Sequence, residues 1–432
     1  MGAVADLRMR PSAHNDSDPV WWTAMLTAAF MALAAIRLTV PSAPYFDETH
    51  YVPAMRAWLD NGAWLNREHP MLGKHLIALG VTLFGDGPLG WRVLPWLAGG
   101  AGLFAFIRAL WFASHSRFAT LAFGVLLASG FALFVHARIA MLDIFMAAFF
   151  AIALWHCAAA IRQPETGRWR LAIAGIAIGL SMASKWNVVF LAMLPGLAFL
   201  AARLTAGRRR WFTSQRGVPV PGISLLEAAL WLGVVPLFAY WLTYLPAYFA
   251  PEKPLAPDGF IAMHGLVMDT QASITQPHPY QSNWPDWVLN IRAIWYLYEP
   301  VDGAQRGVML IGNPLTMLIG LPALAWCAWT GVMRRRWDAL AVVMLYTVSL
   351  GMWVFINKPI QFYYHYFLPS CFLLAALALA LDDIRQAGYR WIALSILAAS
   401  VAIFAWYYPI LSAAPLDGDQ AFLTWTWLGS WR

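Results

Sequence analysis

Eleven stretches of this chain are apolar runs near the length of roughly 20 residues that a helix needs to cross a bilayer's hydrocarbon core. They are Trp21–Val40, Leu89–Leu110, Phe118–Val135, Ile139–Ile161, Leu171–Ser184, Val188–Ala202, Ile223–Ala247, Gly307–Val332, Ala339–Ile356, Phe362–Leu381 and Trp391–Leu411. Backbone amides in lipid have no water to bond, so such runs must satisfy themselves as helices. The fold class expected is an all-α polytopic membrane protein with about eleven transmembrane helices. Only 12% of the 432 residues are charged, against about a quarter in soluble domains, which excludes a disordered chain and an ordinary soluble enzyme. Cys157, Cys327 and Cys371 are odd in number, far apart and inside apolar stretches, so no disulfide framework or zinc site is expected. Trp21–Val40 exceeds a signal-peptide core and reads as an uncleaved first span.

Lysine and arginine orient the bundle. With the N-terminus inside and the sides alternating, 17 of the 29 Lys and Arg fall on cytoplasmic pieces. They are Arg8, Arg10, Arg108, Arg117, Arg162, Arg168, Arg170, Arg203, Arg208, Arg209, Arg210, Arg216, Arg334, Arg335, Arg336, Arg385 and Arg390. Arg37 lies inside the first run, and most acids fall outside. This is the positive-inside pattern, and it accounts for the net charge of +7 without a nucleic-acid partner. It orients the chain with its N-terminus cytoplasmic, and the expected location is a plasma (inner) membrane. All four lysines, Lys74, Lys185, Lys253 and Lys358, fall outside, which topology does not demand.

The expected organisation follows. A cytoplasmic segment, 1–20, leads into a membrane module, 21–247, that carries an outer loop at 41–88. A second outer loop covers 248–306. A C-terminal four-helix region, 307–411, and an outer tail, 412–432, complete the chain. Val52–Leu59 and Leu72–Phe84 read as helices lying in the interface.

Ionisable groups at membrane depth are costly and usually functional. This chain gathers them on the outer side: Asp47 and Glu48 after the first run, His69 and Lys74 in the first outer loop, Arg92 at the second run, Arg138 and Asp143 at the fourth, and Lys185 between two runs. Each has a plainer use. Asp47 can cap the helix that follows, Arg138 and Lys185 can snorkel to head groups, Arg37 can sit in a buried ion pair, and His69 can bond a carbonyl. Asp143 is five residues from Arg138, so the two need not pair. Their convergence on one face points to chemistry. A carboxylate can take a proton from a hydroxyl, while Arg and Lys hold a phosphate and the charge it gains on leaving. The result would be one in-line displacement at a sugar carbon, with inversion.

The same residues resemble the protein O-mannosyltransferases, GT-C membrane glycosyltransferases that use dolichyl- or polyprenyl-phosphate mannose. The similar segments run in order: FDETHY at Phe46–Tyr51, HPMLGK at His69–Lys74, Arg92, ARIAMLDIFMAAFF at Ala137–Phe150, SKWNVVF at Ser184–Phe190, HPYQSNWPDWVLNIRAIWYLYE at His278–Glu299, GNP at Gly312–Pro314 and FYYHYFLP at Phe362–Pro369. Met71, Val188 and Ala293 replace a proline, a glycine and a proline of the family pattern.

The resemblance implies Asp47 as catalytic base with Glu48 supporting it. It implies Arg92, Arg138, Lys185 and Lys74 on the donor phosphate, and Arg37, His69 and Asp143 as positioning groups. His278, Tyr280, Trp284 and Trp287 would shape the acceptor or sugar pocket, although interfacial aromatic belts are the common reading of such residues. No metal and no cofactor are implied. The donor, a polyprenyl-phosphate sugar, is a co-substrate, and the partners are an acceptor protein or peptide and the bilayer. Self-association stays open. The second outer loop is too short for the β-trefoil domain of the eukaryotic enzymes, which resembles the bacterial branch. Two alternatives remain: a transferase that moves a sugar such as aminoarabinose onto a lipid or glycan, and a secondary transporter. Charges confined to one face, without repeated halves, disfavour the transporter.

Overall fold

The structure, a computed structural model, describes residues 16–206, 212–252, 254–273, 275–356 and 358–432. Arg8, Arg10, Arg208, Arg209, Arg210, Lys253 and most of the 1–20 segment lie outside the described residues.

The N-terminal half contains α1 (Val20–Ala35), α2 (Glu48–Asn61), α3 (Leu72–Phe84), α4 (Pro88–Ser114), α5 (Arg117–Ala128), α6 (Ala132–His136), α7 (Leu142–Arg162), α8 (Gly167–Ser184) and α9 (Val189–Thr205). Next come α10 (Leu225–Ala229) and α11 (Val235–Leu242), joined by a π turn, then α12 (Leu245–Tyr248), α13 (Gly259–Ser273) and α14 (Trp284–Val288). A hairpin, β1 (Ile294–Val301) and β2 (Ala304–Leu310), precedes α15 (Pro314–Met333), α16 (Trp337–Phe355), α17 (Phe367–Gln386) and α18 (Arg390–Leu411). Among the described residues, eight helices are long and apolar enough to cross a membrane. The first and third expected spans are shorter apolar helices, α1 and α5. The expected short span at Leu171–Ser184 belongs to the eighteen-residue α8.

Two helices make the centre. α7 packs between α4 and α8, and α17 packs against α5, α15 and α16. Every residue of α17 from Phe367 to Asp382 is buried. A helix apolar on all sides belongs inside the bundle, and the LLAALALAL run fits that rule. α18 instead turns Trp391, Ile392, Leu394, Val401 and Trp406 outward, as a helix facing lipid tails does. Where lipid gives no hydrophobic drive, small residues let backbones approach. Gly175 and Gly179 of α8 do so: a Cβ at Gly175 would stand 1.9 Å from the Trp231 carbonyl oxygen, and one at Gly179 would stand 2.4 Å from that of Pro236.

Three expected elements are corrected. The run Phe118–Val135 is not one helix. It breaks at Ser129–Phe131, where Asn313 Nδ2 donates to the carbonyls of Ser129 and Ser400, each at 3.0 Å, and Phe131 takes φ +72°. The run Gly307–Val332 begins as strand β2, because the second outer loop folds back as a hairpin. Asp302 and Gly303, both at positive φ, form its turn, and Glu299 faces Arg306 across it. An Asp-Gly pair between apolar runs is a strong hairpin signal, but the apolar run after it reads more loudly as a span. Finally, α7 starts at Leu142 rather than Ile139, because the Ala140 amide is given to a carboxylate described below.

The tail closes over the hairpin. Trp295 Nε1 donates to the Trp431 carbonyl at 2.9 Å, and Arg306 Nη1 to that of Ala413 at 2.8 Å.

Candidate active site

The first outer loop enters the site through a strained residue. Phe46 has φ +51°, rare for a bulky side chain. It is held by stacking on Tyr296 of β1, centroids 3.9 Å apart, and by the edge of Tyr364 at 6.1 Å. The next residue, Asp47, occupies the N-cap position of α2 but makes no side-chain cap bond. The capping use open to it from sequence is therefore not taken up. Its carboxylate accepts only a long bond from Tyr51 Oη, 3.4 Å. Burial pushes its carboxyl above the usual range, opposed chiefly by the Lys185 charge. A carboxylate left underbonded and raised in pKa is suited to accept a proton.

Glu48 has a different occupation. Both its oxygens are held by Arg92: Nε to Oε1 at 2.8 Å and Nη2 to Oε2 at 2.7 Å, both side chains fully buried. The amides of Ala140 and Tyr45 also donate to it, at 2.9 and 3.3 Å. Arg92 spends its remaining donors on the carbonyls of Leu38, Pro41 and Ala43. Here the geometry departs from the sequence expectation. Glu48 is a keystone rather than a second acid beside Asp47, and Arg92 has no donor left for a phosphate. The pair ties the first outer loop to α4 and to the start of α7.

Arg138 and Arg37 are likewise structural. Arg138 donates to the carbonyls of Ala34, Ile36, Arg37 and Ser412, closing the open C-terminal carbonyls of α1. Arg37 binds the Ser412 carbonyl and hydroxyl, so it clasps α18 instead of an acid. Together they lock the end of α1 to the end of α18. Lys74 places its ammonium on the carbonyls of Leu65, Asn66 and His69, at 3.2, 2.5 and 3.1 Å. It shapes the loop that carries His69, whose ring meets Tyr51 edge-on at 5.8 Å. Burial holds His69 well below its usual pKa, with the charges of Lys185, Lys74 and Lys358 adding to the effect, so it is neutral at pH 7.

Lys185 sits in the break between α8 and α9. Its Nζ donates to Asp143 Oδ2 at 2.7 Å and lies 4.9 Å from the Tyr364 ring centroid. Asp143 thus pairs with Lys185 rather than Arg138, and its other oxygen has no partner among the described residues. A small cleft opens beside Asp143, lined also by Asn187, Ser349, Trp353, Tyr364 and His365 among others.

The second outer loop flanks the Tyr363–Tyr366 turn. His278 is exposed and packs edge-on against Phe362 at 5.1 Å, with Tyr280 beside it. Trp284 is partly exposed. Trp287 is wholly buried, bonds Ser282 Oγ at 2.9 Å and packs on Trp353 and His365. It is a core anchor for the loop, not a pocket wall. Gly312 and Asn313 also serve packing: Asn290 bonds both polar groups of Gly312.

The structure therefore brings Asp47, Asp143, Lys185 and His69 together, with Glu48, Arg92, Arg138, Arg37 and Lys74 as the frame around them. Three groups at this centre have no site role in the sequence reading. Tyr364 lies in a recognised motif, Tyr296 depends on the missed hairpin, and Lys358 is noted only as an outer lysine.

The family model for dolichyl-phosphate-mannose-protein mannosyltransferase matches residues 68–241, and that for the C-terminal four-transmembrane region of protein-O-mannosyltransferase matches residues 257–431. The chain is 30% identical to a polyprenol-phosphate-mannose–protein mannosyltransferase of Mycolicibacterium smegmatis, over 94% of this chain and 92% of that one. A Mycobacterium tuberculosis protein of the same name is 29% identical over 91% and 88%. Among solved structures, the S. cerevisiae protein O-mannosyltransferase Pmt1–Pmt2 complex bound to the sugar donor superposes with a TM-score of 0.78 at 14% identity, covering 95% of this chain and 93% of that one. ArnT from Cupriavidus metallidurans superposes with a TM-score of 0.55 at 19% identity, covering 89% and 64%.

Proposed function

The chain belongs to the protein O-mannosyltransferase family of GT-C membrane glycosyltransferases, and from that premise we propose that it moves mannose from polyprenyl phosphate to Ser or Thr hydroxyls of proteins. In this reading the site faces the outer side of the plasma membrane with the N-terminus in the cytoplasm, an orientation that the charge asymmetry of the loops supports.

The reaction is a single displacement. The acceptor oxygen bonds to the sugar C1 as the bond from C1 to the phosphate oxygen breaks. The hydroxyl proton passes to Asp47, the electron pair stays on the departing polyprenyl phosphate, and the anomeric configuration inverts. Lys185 meets the growing phosphate charge, Asp143 fixes Lys185, and neutral His69 closes the wall beside Tyr51. His278, Tyr280 and Trp284 border the acceptor side. No step is assigned to a metal or cofactor. What carries this reading is Asp47: a carboxylate free of its capping bond, raised in pKa and set against Lys185.

The test is to incubate the purified protein with polyprenyl-phosphate mannose and a Ser/Thr-rich peptide, then weigh the products. A peptide gaining one hexose, with loss of transfer in Asp47→Asn, is expected. Modification of added lipid A or glycan instead of peptide would overturn the protein acceptor. EDTA should leave the rate unchanged; loss of rate restored by a divalent cation would overturn the metal-free scheme.

A further inference from the structure

Of the cations expected around a donor phosphate, Arg92, Arg138 and Lys74 give their charged ends to the protein itself. Lys185 retains free donors but is already paired with Asp143. One further ammonium stands in this field. Lys358 lies between α16 and the Tyr363–Tyr366 turn. Among the described residues its side chain has no hydrogen bond and no ion pair. The charges acting on it are Lys185, Asp143 and Asp47, and its own charge reaches His69.

The segment that carries it is held at three carbonyls. Gln361 Nε2 donates to the Lys358 carbonyl at 3.2 Å, Gln281 Nε2 to that of Pro359 at 3.4 Å, and the Ser282 amide to that of Gln361 at 2.9 Å. The same turn brings Tyr364 beneath Lys185. Burial pushes the Lys358 ammonium down to about 8, and Lys185 adds to the effect. A half-buried ammonium beside a second cation, with no carboxylate of its own, lacks a counter-ion.

We propose that Lys358 is a donor-binding residue: beside Lys185 it holds the phosphate of the polyprenyl-phosphate sugar and of the carrier phosphate released. This rests on the transferase reading above. A phosphodiester carries one negative charge, and the departing phosphate gains more as the C1–O bond breaks. Two ammoniums on that phosphate stabilise the gain more than the ground state, which is where catalysis requires it.

The experiment compares wild type, Lys358→Gln and Lys358→Arg in two assays. One measures transfer, varying donor and peptide separately. The other measures direct binding of undecaprenyl phosphate, which needs no turnover. In Lys358→Gln, donor KM should rise about ten- to hundredfold, as loss of a charge-assisted contact implies. Undecaprenyl-phosphate binding should weaken by a similar factor, peptide KM should hold, and Lys358→Arg should recover most of the loss. Donor KM and carrier binding within twofold of wild type would overturn the inference, as would an equal rise in peptide KM. Failure of Lys358→Gln to fold would show the lysine to be structural and overturn it too. If phosphatidylglycerol competes as strongly as undecaprenyl phosphate, the lysine serves a bilayer head group and the inference fails. A wild type that binds undecaprenyl phosphate through Lys358 yet transfers no mannose would sink the transferase reading alone.

Discussion

At the scale of single residues, two neighbouring acids have opposite fates. Asp47 is left underbonded, and Glu48 is bonded on every side. The consequences are opposite as well. Folding raises the Asp47 pKa above its unfolded value, so the native state favours the protonated acid. Its contribution to stability is therefore fullest below the unfolded pKa and is lost as pH rises through the folded one. Asparagine cannot ionise and escapes that loss. Asp47→Asn should abolish transfer, keep donor binding, and melt at the wild-type temperature or above it at neutral pH; a variant that turned over normally would remove Asp47 as the base. The wild-type rate should fall as pH drops through the raised pKa. Arg92→Met, in contrast, strands a buried carboxylate and should cost about 3–5 kcal/mol. Denaturant titration in detergent would measure it, and a loss below 1 kcal/mol would contradict the keystone role. Sequence placed both acids at the site because of their type and neighbourhood. It could not separate them, because the separation depends on which one meets Arg92, 44 positions away.

At the scale of elements, the hairpin is the piece that pattern reading lost and the site depends on. β1 carries Tyr296 onto Phe46, and Asp302 at the turn binds the amide of Ser42 at 2.8 Å, so the hairpin braces the loop that presents Asp47. Gly303 has φ +75°, which a β-branched residue adopts only with strain. Gly303→Val should lower the melting temperature by a few degrees and reduce kcat more than peptide KM. Unchanged kcat would detach the hairpin from the site. The close contact of α8 with the helix that follows α10 gives a second test. Gly175→Leu has no room beside the Trp231 carbonyl and should abolish accumulation of folded protein, as judged by gel filtration.

At the scale of the whole molecule, the arrangement of charge along the chain makes a claim about sidedness. In the proposed orientation, cytoplasmic arginines anchor one end of the bundle and the site sits at the other. Native thiols are poor targets: Cys327 and Cys371 are buried and Cys157 is half-buried. In intact cells a cysteine at exposed Gln276 should therefore react with an impermeant maleimide, while one at Arg335 should react only after lysis. The reverse pattern would turn the active site toward the cytosol.

Sequence alone was enough for the class of fold, because a bilayer admits few solutions to a chain with so many apolar runs. It also pointed to candidate acids and cations, since ionisable groups at membrane depth are costly. What only tertiary structure decided is the division of labour. Arg92, Arg138 and Lys74 look from sequence like ligands for an external anion, yet each gives its charged end to carbonyls or a carboxylate of the chain itself. Lys358 stands out in sequence only as one of four outer lysines, and among the described residues its side chain has no hydrogen bond or ion pair. Whether a cation is used up or available depends on which backbone oxygens the fold places within hydrogen-bond reach of it, and for Arg138 one of these, the Ser412 carbonyl, comes from the opposite end of the chain.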